Sequence, residues 1–236
     1  MHADILNHLK KNPIQNLPVI GFFDNYPLEK HYIYGKSMIL LGSSDYTWAY
    51  LSSNNDEELE ILLEKFGFES LYFANVEEWM LPHLTHEHRI EWKLTTNRYF
   101  LPQETEVTAS EEDDCRALDE SLVSYVFQHS LYKDYTSEAY IKQRLEKDVS
   151  AGIWINDTLV GWGLTHDDGS LGFLNVISGY RGQGIGERVF RYLIHAKQTL
   201  QKPVFVNVEP HNKQSINLLS KIGLKYDRQA SWVKLV

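Results

Sequence analysis

Hydrophobic and polar positions in the first hundred residues follow a pattern that predicts a small unit of mixed helices and strands. Ile5, Leu6 and Leu9 sit at helical spacing, so a first helix is expected to end before Pro13. Three short apolar stretches follow, at residues 19–23, 37–41 and 47–51. The third of them alternates aromatic with other residues, as half-buried strands do.

A helix is predicted to begin at Asp56, because three consecutive acidic residues there suit the positive end of a helix dipole. Its buried stripe is expected to consist of Leu59, Leu62, Leu63 and Phe66, with Gly67 as the stop signal. The segment 89–101 then predicts one strand or a pair of strands that closes the unit. An acidic, polar stretch at 102–114 is interpreted as a linker, which divides the chain into domains 1–104 and 105–236.

The pattern after the linker predicts two helices followed by a β-meander. The helices are expected at 111–128 and 137–148, and the strands at 152–155, 159–165 and 171–176. Turns at Asn156-Asp157 and Asp168-Gly169 join the strands, since these residue types tolerate positive φ. The remaining elements are a helix at 184–200, a strand at 204–208, a helix at 213–222 and a strand at 231–236. The helix between strands 171–176 and 204–208 predicts that these two strands run parallel or nearly so.

Composition and charge narrow the classes of function. The chain has 236 residues and a formal net charge of −9, which disfavours nucleic acid as a partner. Its one cysteine, Cys115, excludes an intramolecular disulfide and a cysteine-based zinc site. The N-terminus lacks the pattern of a signal peptide and no apolar run approaches about 18 residues, so we expect a cytoplasmic protein with no membrane contact.

A glycine-rich segment, Arg181–Gly186, lies between the last strand of the meander and the long helix. Glycine lets a ligand approach the backbone closely, and the first helical turn offers N–H groups that have no partner within the helix. The segment therefore predicts a site for an anion such as a pyrophosphate. A glycine-rich turn without a ligand is one alternative, and a Rossmann site is another. The preceding meander and the Gly-x-Gly-x-Gly spacing argue against the Rossmann alternative.

The segment 174–186 resembles the coenzyme A signature of the GNAT superfamily of acyl-CoA N-acyltransferases, with Ser178 where proline is common. A second segment, Asn212–Leu224, resembles the second motif of that superfamily at the expected distance. The stretch Gly161–Gly172 is similar to the glycine N-acyltransferase-like branch, in which the N-terminal half is often a diverged GNAT-like unit. The resemblance covers about residues 137–236, whereas residues 1–110 match only in layout.

The resemblance implies an α/β (α+β) GNAT fold, with a C-terminal mixed sheet whose parallel strands splay apart between flanking helices, and a smaller N-terminal α+β domain. It implies transfer of an acetyl or short acyl group from coenzyme A to a primary amine of a small molecule, such as glycine, by direct attack in a ternary complex. Acetyl-CoA is then the co-substrate, and no metal is needed. A homodimer is one possible oligomeric state. The residues implied to bind the coenzyme are Leu174, Val176, Arg181, Gly182, Gln183, Gly184, Ile185, Gly186, Asn212 and Ser215.

Two positions depart from the pattern of the superfamily. Leu219 stands where many members have a tyrosine that protonates the leaving thiolate, and Ser170 stands where the related branch often has a glutamate. A thiol with a pKa near ~8.5 leaves readily at neutral pH, so the loss of the acid is expected to slow turnover without abolishing it. Tyr226 and Ser215 are alternative acids.

An ammonium acceptor must lose a proton before it attacks, so some base is required. The candidates are His166, Asp167, Asp168, Glu209 and His211. Glu209 and His211 are favoured because they lie at the carboxyl end of strand 204–208, where ligands gather in α/β sheets. Asp168 is interpreted as a turn residue and His166 as a solvated loop histidine, and Asn175 is expected to touch the acceptor.

Two further functions stay open beside small-molecule acylation. The departures at Ser170 and Leu219 favour a catalytically inactive CoA-binding or regulatory module. The other is a protein N-acetyltransferase. His83, His86 and His88 are interpreted as a solvated loop rather than a metal site, because their spacing fits no defined ligand geometry.

Overall fold

The computed structural model describes residues 2–109, 115–130, 133 and 136–236, and the chain divides into two compact units. The first unit consists of Met1–Tyr99, Val208–Lys213 and Tyr226–Val236. The second consists of Phe100–Asn207 and Gln214–Lys225. The division of the sequence between residues 104 and 105 stays a prediction.

The described residues form the following elements. The helices are α1 (Ala3–Leu9), α2 (Leu17–Asn25), α3 (Asp56–Phe66), α4 (Leu81–Leu84), α5 (Val123–Gln128), α6 (Glu138–Lys147), α7 (Ile185–Thr199) and α8 (Lys213–Ile222). The strands are β1 (Lys30–Tyr34), β2 (Ser37–Ser43), β3 (Thr47–Ser52), β4 (Tyr72–Val76), β5 (Ile90–Phe100), β6 (Cys115–Arg116), β7 (Ala151–Ile155), β8 (Thr158–Thr165), β9 (Leu171–Val176), β10 (Phe205–Val208) and β11 (Lys225–Leu235).

The first unit is built around a mixed sheet in which the strands lie in the order β1-β2-β3-β4-β11-β5. The pairs β1·β2, β2·β3 and β4·β11 are antiparallel, whereas β3 and β4 are parallel because α3 crosses over between them. One apolar cluster joins the sheet to α3 and α4, and a second joins it to α1 and α2. The apolar stretch 19–23 belongs to α2, where Pro18 occupies the first turn and Val19, Phe22 and Phe23 are buried.

A buried arginine ties together separate segments of the first unit. Arg98 has no exposed surface, and its guanidinium donates to Asn75 Oδ1 at 2.9 Å and to the Gln15 carbonyl at 2.8 Å. The carboxylate of Asp227 lies 3.6 Å from Arg98 Nε. A buried cation needs such partners, because desolvation without them is very costly. The contacts therefore link the segment before α2, the end of β4 and strand β11.

The predicted helix from Asp56 is confirmed, and its two ends show why the sequence forms a helix here. Asn55 is the N-cap, and its side chain accepts a hydrogen bond from the backbone N–H of Glu58 at 2.9 Å. The buried face consists of Leu59, Leu62, Leu63 and Phe66, as the spacing predicts, and Gly67 follows the last helical residue.

The second unit contains an antiparallel sheet in the order β6-β7-β8-β9, which matches the predicted meander. An apolar cluster covers one side, with Trp162 and Leu164 of β8 against Val126 of α5 and Ile141 of α6. The helix predicted at 137–148 is confirmed as α6, and the predicted helices at 184–200 and 213–222 are confirmed as α7 and α8. Strand β10 makes no ladder with β9 among the described residues, as splayed strands would not.

The helix predicted over residues 111–128 is wrong across 115–122. Cys115–Arg116 form β6 instead, and the Arg116 guanidinium lies 4.1 Å from the ring centre of Trp154 on β7. The side chain of Asp119 then accepts the amide of Ser121 and starts a short 3₁₀ turn, so the α-helix begins only at Val123. Pairing with β7 has overridden local helix propensity. Residues 111–114 lie outside the described part of the chain.

The long helix α7 lies unusually close to β8 because two glycines face it. A Cβ added at Gly161 would lie 2.5 Å from Ile185 Cγ2, and one added at Gly163 would lie 2.7 Å from Leu193 Cδ1. Atoms cannot approach that closely, so a larger residue at either position would force the facing side chain of α7 to move. At the other end of α7, Lys197 Nζ binds the buried carboxylate of Asp148 at 2.6 Å.

The cap of α3 provides a test of the first unit. Replacing Asn55 by alanine removes the acceptor for the Glu58 amide and is expected to lower the free energy of unfolding by about 1 kcal/mol. Urea denaturation monitored by circular dichroism measures the change. The variant Asn55→Ser keeps an acceptor and should stay within about 0.5 kcal/mol of the wild type. Equal stability of Asn55→Ala and the wild type would show that the cap contributes nothing.

Candidate active site

The glycine-rich segment before α7 adopts a backbone that only glycine enters readily. Gly182 and Gly184 have φ values of +76° and +77°, in the left-handed region. Gly184 is the N-cap of α7, and no side chain caps this helix end. A Cβ added at either glycine would meet nothing within 4 Å, so the segment faces open space. The first-turn N–H groups of α7 therefore stand uncovered at the positive end of a 15-residue helix.

Strand β9 forms the floor beneath this helix end. A Cβ added at Gly186 would lie 3.6 Å from Val176 Cγ2 and 4.0 Å from Leu174 Cδ2. The end of the same strand holds Arg181, whose Nε donates to the Val176 carbonyl at 2.9 Å. The structure thus brings together the predicted coenzyme residues of β9 and of the glycine-rich segment.

Strand β9 contains a bulge that the sequence did not reveal. Trp162 of β8 pairs with Asn175 and Leu164 pairs with Gly172, so Phe173 and Leu174 together lie opposite a single residue of β8. Phe173 has a φ of +52°, which is rare for an aromatic residue. A bulge of this kind leaves one residue outside the ladder and bends the strand. It frees backbone groups of β9 close to the helix end of α7.

Helix α8, which carries the second motif, is bound to the first turn of α7. Lys221 Nζ contacts Glu187 Oε2 at 2.5 Å, and this hydrogen bond is the main reason why the pKa of Glu187 lies below its ordinary value. Leu219 is only 2% exposed, so the position at which many superfamily members have tyrosine points into the interior. Ser215 is half-buried on the same helix.

The turn between β8 and β9 holds a buried carboxylate. Asp168 has no exposed surface, and its Oδ1 accepts both the backbone N–H of Ser170 at 2.9 Å and the Ser170 hydroxyl at 2.6 Å. Its Oδ2 accepts Asn207 Nδ2 of β10 at 2.9 Å. The opposite atom of that amide, Asn207 Oδ1, is buried without a hydrogen-bond partner among the described residues. Asp168 is thus more than the turn residue that the sequence indicated.

His166 lies beside this carboxylate. Its ring covers Gly172, where an added Cβ would approach Nε2 to 2.2 Å, and it packs on Phe173 with ring centres 4.7 Å apart. Burial lowers the pKa of the His166 imidazole; the charge of Asp168 opposes this effect and that of Arg144 adds to it. The imidazole is therefore neutral near pH 7, and it packs against Phe173 instead of lying in a solvated loop as the sequence indicated.

The other predicted catalytic residues lie in different surroundings. Asn175 donates from Nδ2 to the His129 carbonyl at 3.2 Å, at the end of α5. Glu209 and His211 belong to the first unit, where Glu209 Oε2 lies 3.6 Å from His211 Nε2 and the imidazole is 80% exposed. Asn212 belongs to the first unit as well, and its backbone N–H donates to the Glu209 carbonyl. The catalytic roles of these residues stay predictions.

A family model matches part of the chain. Residues 151–233 match the family model described as FR47-like protein. No curated protein sequence matches the chain significantly.

Solved structures resemble a much larger part of the chain. A Drosophila protein matches with a TM-score of 0.71 at 18% identity, over 85% of this chain and 74% of its own. A GCN5-related N-acetyltransferase from Kribbella flavida matches with a TM-score of 0.61 at 10% identity, over 94% of both chains. A GCN5-related N-acetyltransferase-like protein from Streptococcus suis matches with a TM-score of 0.52 at 14% identity, over 94% of this chain and 98% of its own.

The chain has the GNAT fold. The predicted fold class is thereby confirmed. These structural neighbours share 10–18% identity with the chain, so the likeness shows the fold. The glycine N-acyltransferase-like branch is not confirmed by these comparisons.

Within the GNAT fold, sequence reasoning missed the partners of Asp168. Asn207 and Ser170 bind this carboxylate, and Tyr140 Oη accepts the backbone N–H of Asp167 at 3.0 Å. The Asp-Gly dipeptide alone indicates only a turn, and the contact with Asn207 joins residues that are 39 positions apart. Burial of the aspartate was the missing signal, and it depends on the tertiary structure.

The remaining candidates are structural. His83 Nε2 lies 3.0 Å from Asp56 Oδ1, and His88 stacks on Phe68 with ring centres 4.1 Å apart. Within the described residues, no group of three or more histidine, cysteine, aspartate or glutamate side chains could hold a metal ion. The described helices include none with the length and apolar character required to cross a membrane, and the cytoplasmic location stays a prediction.

The lowered pKa of His166 predicts how stability depends on pH. The unfolded chain takes up a proton at this histidine as the pH falls through its ordinary pKa of about 6.5, whereas the folded protein takes it up only at a lower pH. His166 therefore lowers stability progressively as the pH is reduced from 7 to 5. The variant His166→Gln, measured by thermal unfolding at several pH values, should lose less stability over this interval than the wild type. Parallel pH profiles for the two proteins would contradict the lowered pKa.

Proposed function

We propose that the protein transfers an acetyl or other short acyl group from coenzyme A to a primary amine of a small molecule. The observation that carries the proposal is the uncapped N-terminus of α7, preceded by two left-handed glycines and open space. The acceptor class rests on the resemblance of segment 161–172 to the glycine N-acyltransferase-like branch, which makes amino acids such as glycine the first choice.

The N-terminus of α7 suits the pyrophosphate of a coenzyme because, unlike the N-terminus of α3, it has no side-chain cap. At α3 the side chain of Asn55 already caps the helix, and three acidic residues fill its first turn. At α7 the N-cap is Gly184, and Glu187 is the one acidic residue in the first turn, held by Lys221 and Arg191. The N–H groups of Gly184, Ile185 and Gly186 are therefore available to an anion. Bound acyl-CoA would supply an activated thioester.

We assign the role of general base to His166, next to the negative charge of Asp168. The incoming amine arrives as an ammonium and gives one proton to the neutral imidazole before its nitrogen attacks the thioester carbonyl. A bond from nitrogen to carbon then forms, and the bond from carbon to sulfur breaks. The nitrogen passes its second proton to solvent, the thiolate takes a proton from solvent, and the imidazolium later returns its own proton to solvent. The buried carboxylate stabilises the imidazolium that forms.

Backbone N–H groups at the bulge of β9 are suited to stabilise the negative charge that develops on the thioester carbonyl oxygen. The oxygen of the attacked carbonyl gains negative charge, and N–H groups held in a rigid strand stabilise such charge without reorganisation. The departing thiolate needs no strong acid, because its conjugate thiol has a pKa near ~8.5. The burial of Leu219 is therefore compatible with turnover.

The burial of Leu219 also favours a second function, a CoA-binding module without catalytic activity. Its side chain is enclosed in the interior, so the position offers no acid to a leaving thiolate. The two functions differ in the release of free thiol. A module of this kind binds acetyl-CoA and releases no thiol with any amine.

Release of coenzyme A thiol across a panel of acceptors tests the proposed reaction. The panel contains glycine, other amino acids, short diamines and a lysine-containing peptide. We expect release with at least one small amine, and a decrease in kcat of about 100-fold in His166→Gln, since a positioned base typically contributes this much or more. The variant His195→Gln changes an exposed histidine of α7 in the same unit and should keep wild-type kcat.

Two results would contradict the proposal in different ways. Acylation of the peptide alone would favour a protein N-acetyltransferase. Tight binding of acetyl-CoA without release of thiol for any acceptor would favour the inactive module. An unchanged kcat in His166→Gln would remove the base assignment and leave the reaction itself intact.

A further inference from the structure

The first unit contains a cavity that the proposed acyl transfer does not use. Its volume is about 590 Å³, within the range typical of sites for small molecules. It lies at the end of β3, between the end of α1 and the first turn of α3, and all its lining residues belong to the first unit. Strand β3 runs parallel to β4 with α3 as the crossover, and ligands gather at the carboxyl ends of strands in such units.

The inner wall of the cavity is a rigid set of hydrogen-bonded side chains. Gln15 is buried and exchanges hydrogen bonds with Asn54 at 2.6 and 3.0 Å. Asn16 is buried too; its Oδ1 accepts the Ser52 hydroxyl at 2.8 Å, and its Nδ2 donates to the carbonyl of Leu9 at 3.0 Å. Side chains that are held in this way lose little conformational freedom when a ligand binds.

The outer wall carries positive charge. Lys11 and Lys36 both line the cavity, and the Lys11 ammonium has no hydrogen-bond or ion-pair partner within the described residues. His8 also lines the cavity, and its Nε2 contacts the Lys36 carbonyl at 2.9 Å. The protein as a whole has a net charge of −9, so a cavity whose described lining has two lysines and a single glutamate is a local exception.

The one acidic side chain of the lining is already engaged. Glu58 Oε2 accepts the Ser37 hydroxyl at 2.7 Å and the Lys36 backbone N–H at 2.9 Å, and these contacts hold the pKa of Glu58 below its ordinary value. The cavity therefore keeps an excess of one positive charge from its lysines. No aliphatic residue and no phenyl, phenol or indole ring is among the described residues that line it.

We propose that this cavity binds a small hydrophilic ligand that carries one anionic group, a carboxylate or a phosphate. The anionic group lies against Lys11 and Lys36, and the hydroxyl groups of the ligand bond to the amide side chains of Asn12 and Asn54. This assignment does not depend on the proposed acyl transfer.

Three matched probes test the assignment: glycerol phosphate, glycerate and glycerol. Their binding is followed by the NMR shifts of the side-chain amide groups of Asn12 and Asn54, which report on this cavity and not on α7. We expect saturable shifts with at least one of the two anions and none with glycerol. The double variant Lys11→Gln/Lys36→Gln should weaken the binding by at least about tenfold, because two charge-assisted contacts are lost.

A control variant separates specific binding from general electrostatic attraction. Lys93→Gln removes a lysine of β5 that does not line the cavity, and it should bind the probes as the wild type does. The absence of saturable shifts up to roughly 50 mM anion would overturn the proposal, since a weaker affinity supports no specific site. Equal shifts with glycerol, or equal affinity in the double variant, would overturn it as well.

Discussion

The close contact between α7 and β8 determines the position of the whole candidate site. Gly161 and Gly163 let Ile185 and Leu193 rest directly on the strand, and this contact sets the height of the helix N-terminus above the sheet. Because Gly186 packs over Leu174 and Val176, the same contact places the uncapped amides next to the bulge of β9. A side chain at either strand glycine would force Ile185 or Leu193 out of its present position on the strand.

Each unit contains a helix that follows a strand and precedes another strand, and the N-termini of these two helices, α3 and α7, differ in how they are capped. In the first unit α3 is capped by its own Asn55 and carries acids in its first turn, so its N–H groups are satisfied within the protein. In the second unit α7 begins with a glycine in the left-handed region and has no side-chain cap. A side-chain cap stabilises a protein by about 1 kcal/mol. Helix α7 lacks this stabilisation, and an anion bound at its N-terminus can accept the hydrogen bonds that a cap would accept.

Sequence patterns predicted the elements of the second unit well because its strands are bounded by strong turn signals and its helices have clear apolar faces. The meander, α6, α7 and α8 all lie within a residue or two of their predicted bounds. The pattern failed at β6, where pairing with β7 decides the conformation of Cys115 and Arg116. It also failed for Asp168, because only the tertiary structure shows that Asn207 and Ser170 enclose this carboxylate. Local sequence carries turn chemistry, whereas burial depends on distant residues.

The most direct measurement is a calorimetric titration of the protein with acetyl-CoA, compared with two glutamate variants of the same segment. Gly184→Glu places a carboxylate at the helix N-terminus and strains a left-handed residue, whereas Gly179→Glu adds the same charge at an exposed glycine with open space around it and no positive φ. We expect micromolar binding to the wild type, nearly unchanged in Gly179→Glu, and a loss of at least about 100-fold in Gly184→Glu. Absence of binding to the wild type, or equal binding to all three proteins, would contradict the coenzyme site at α7.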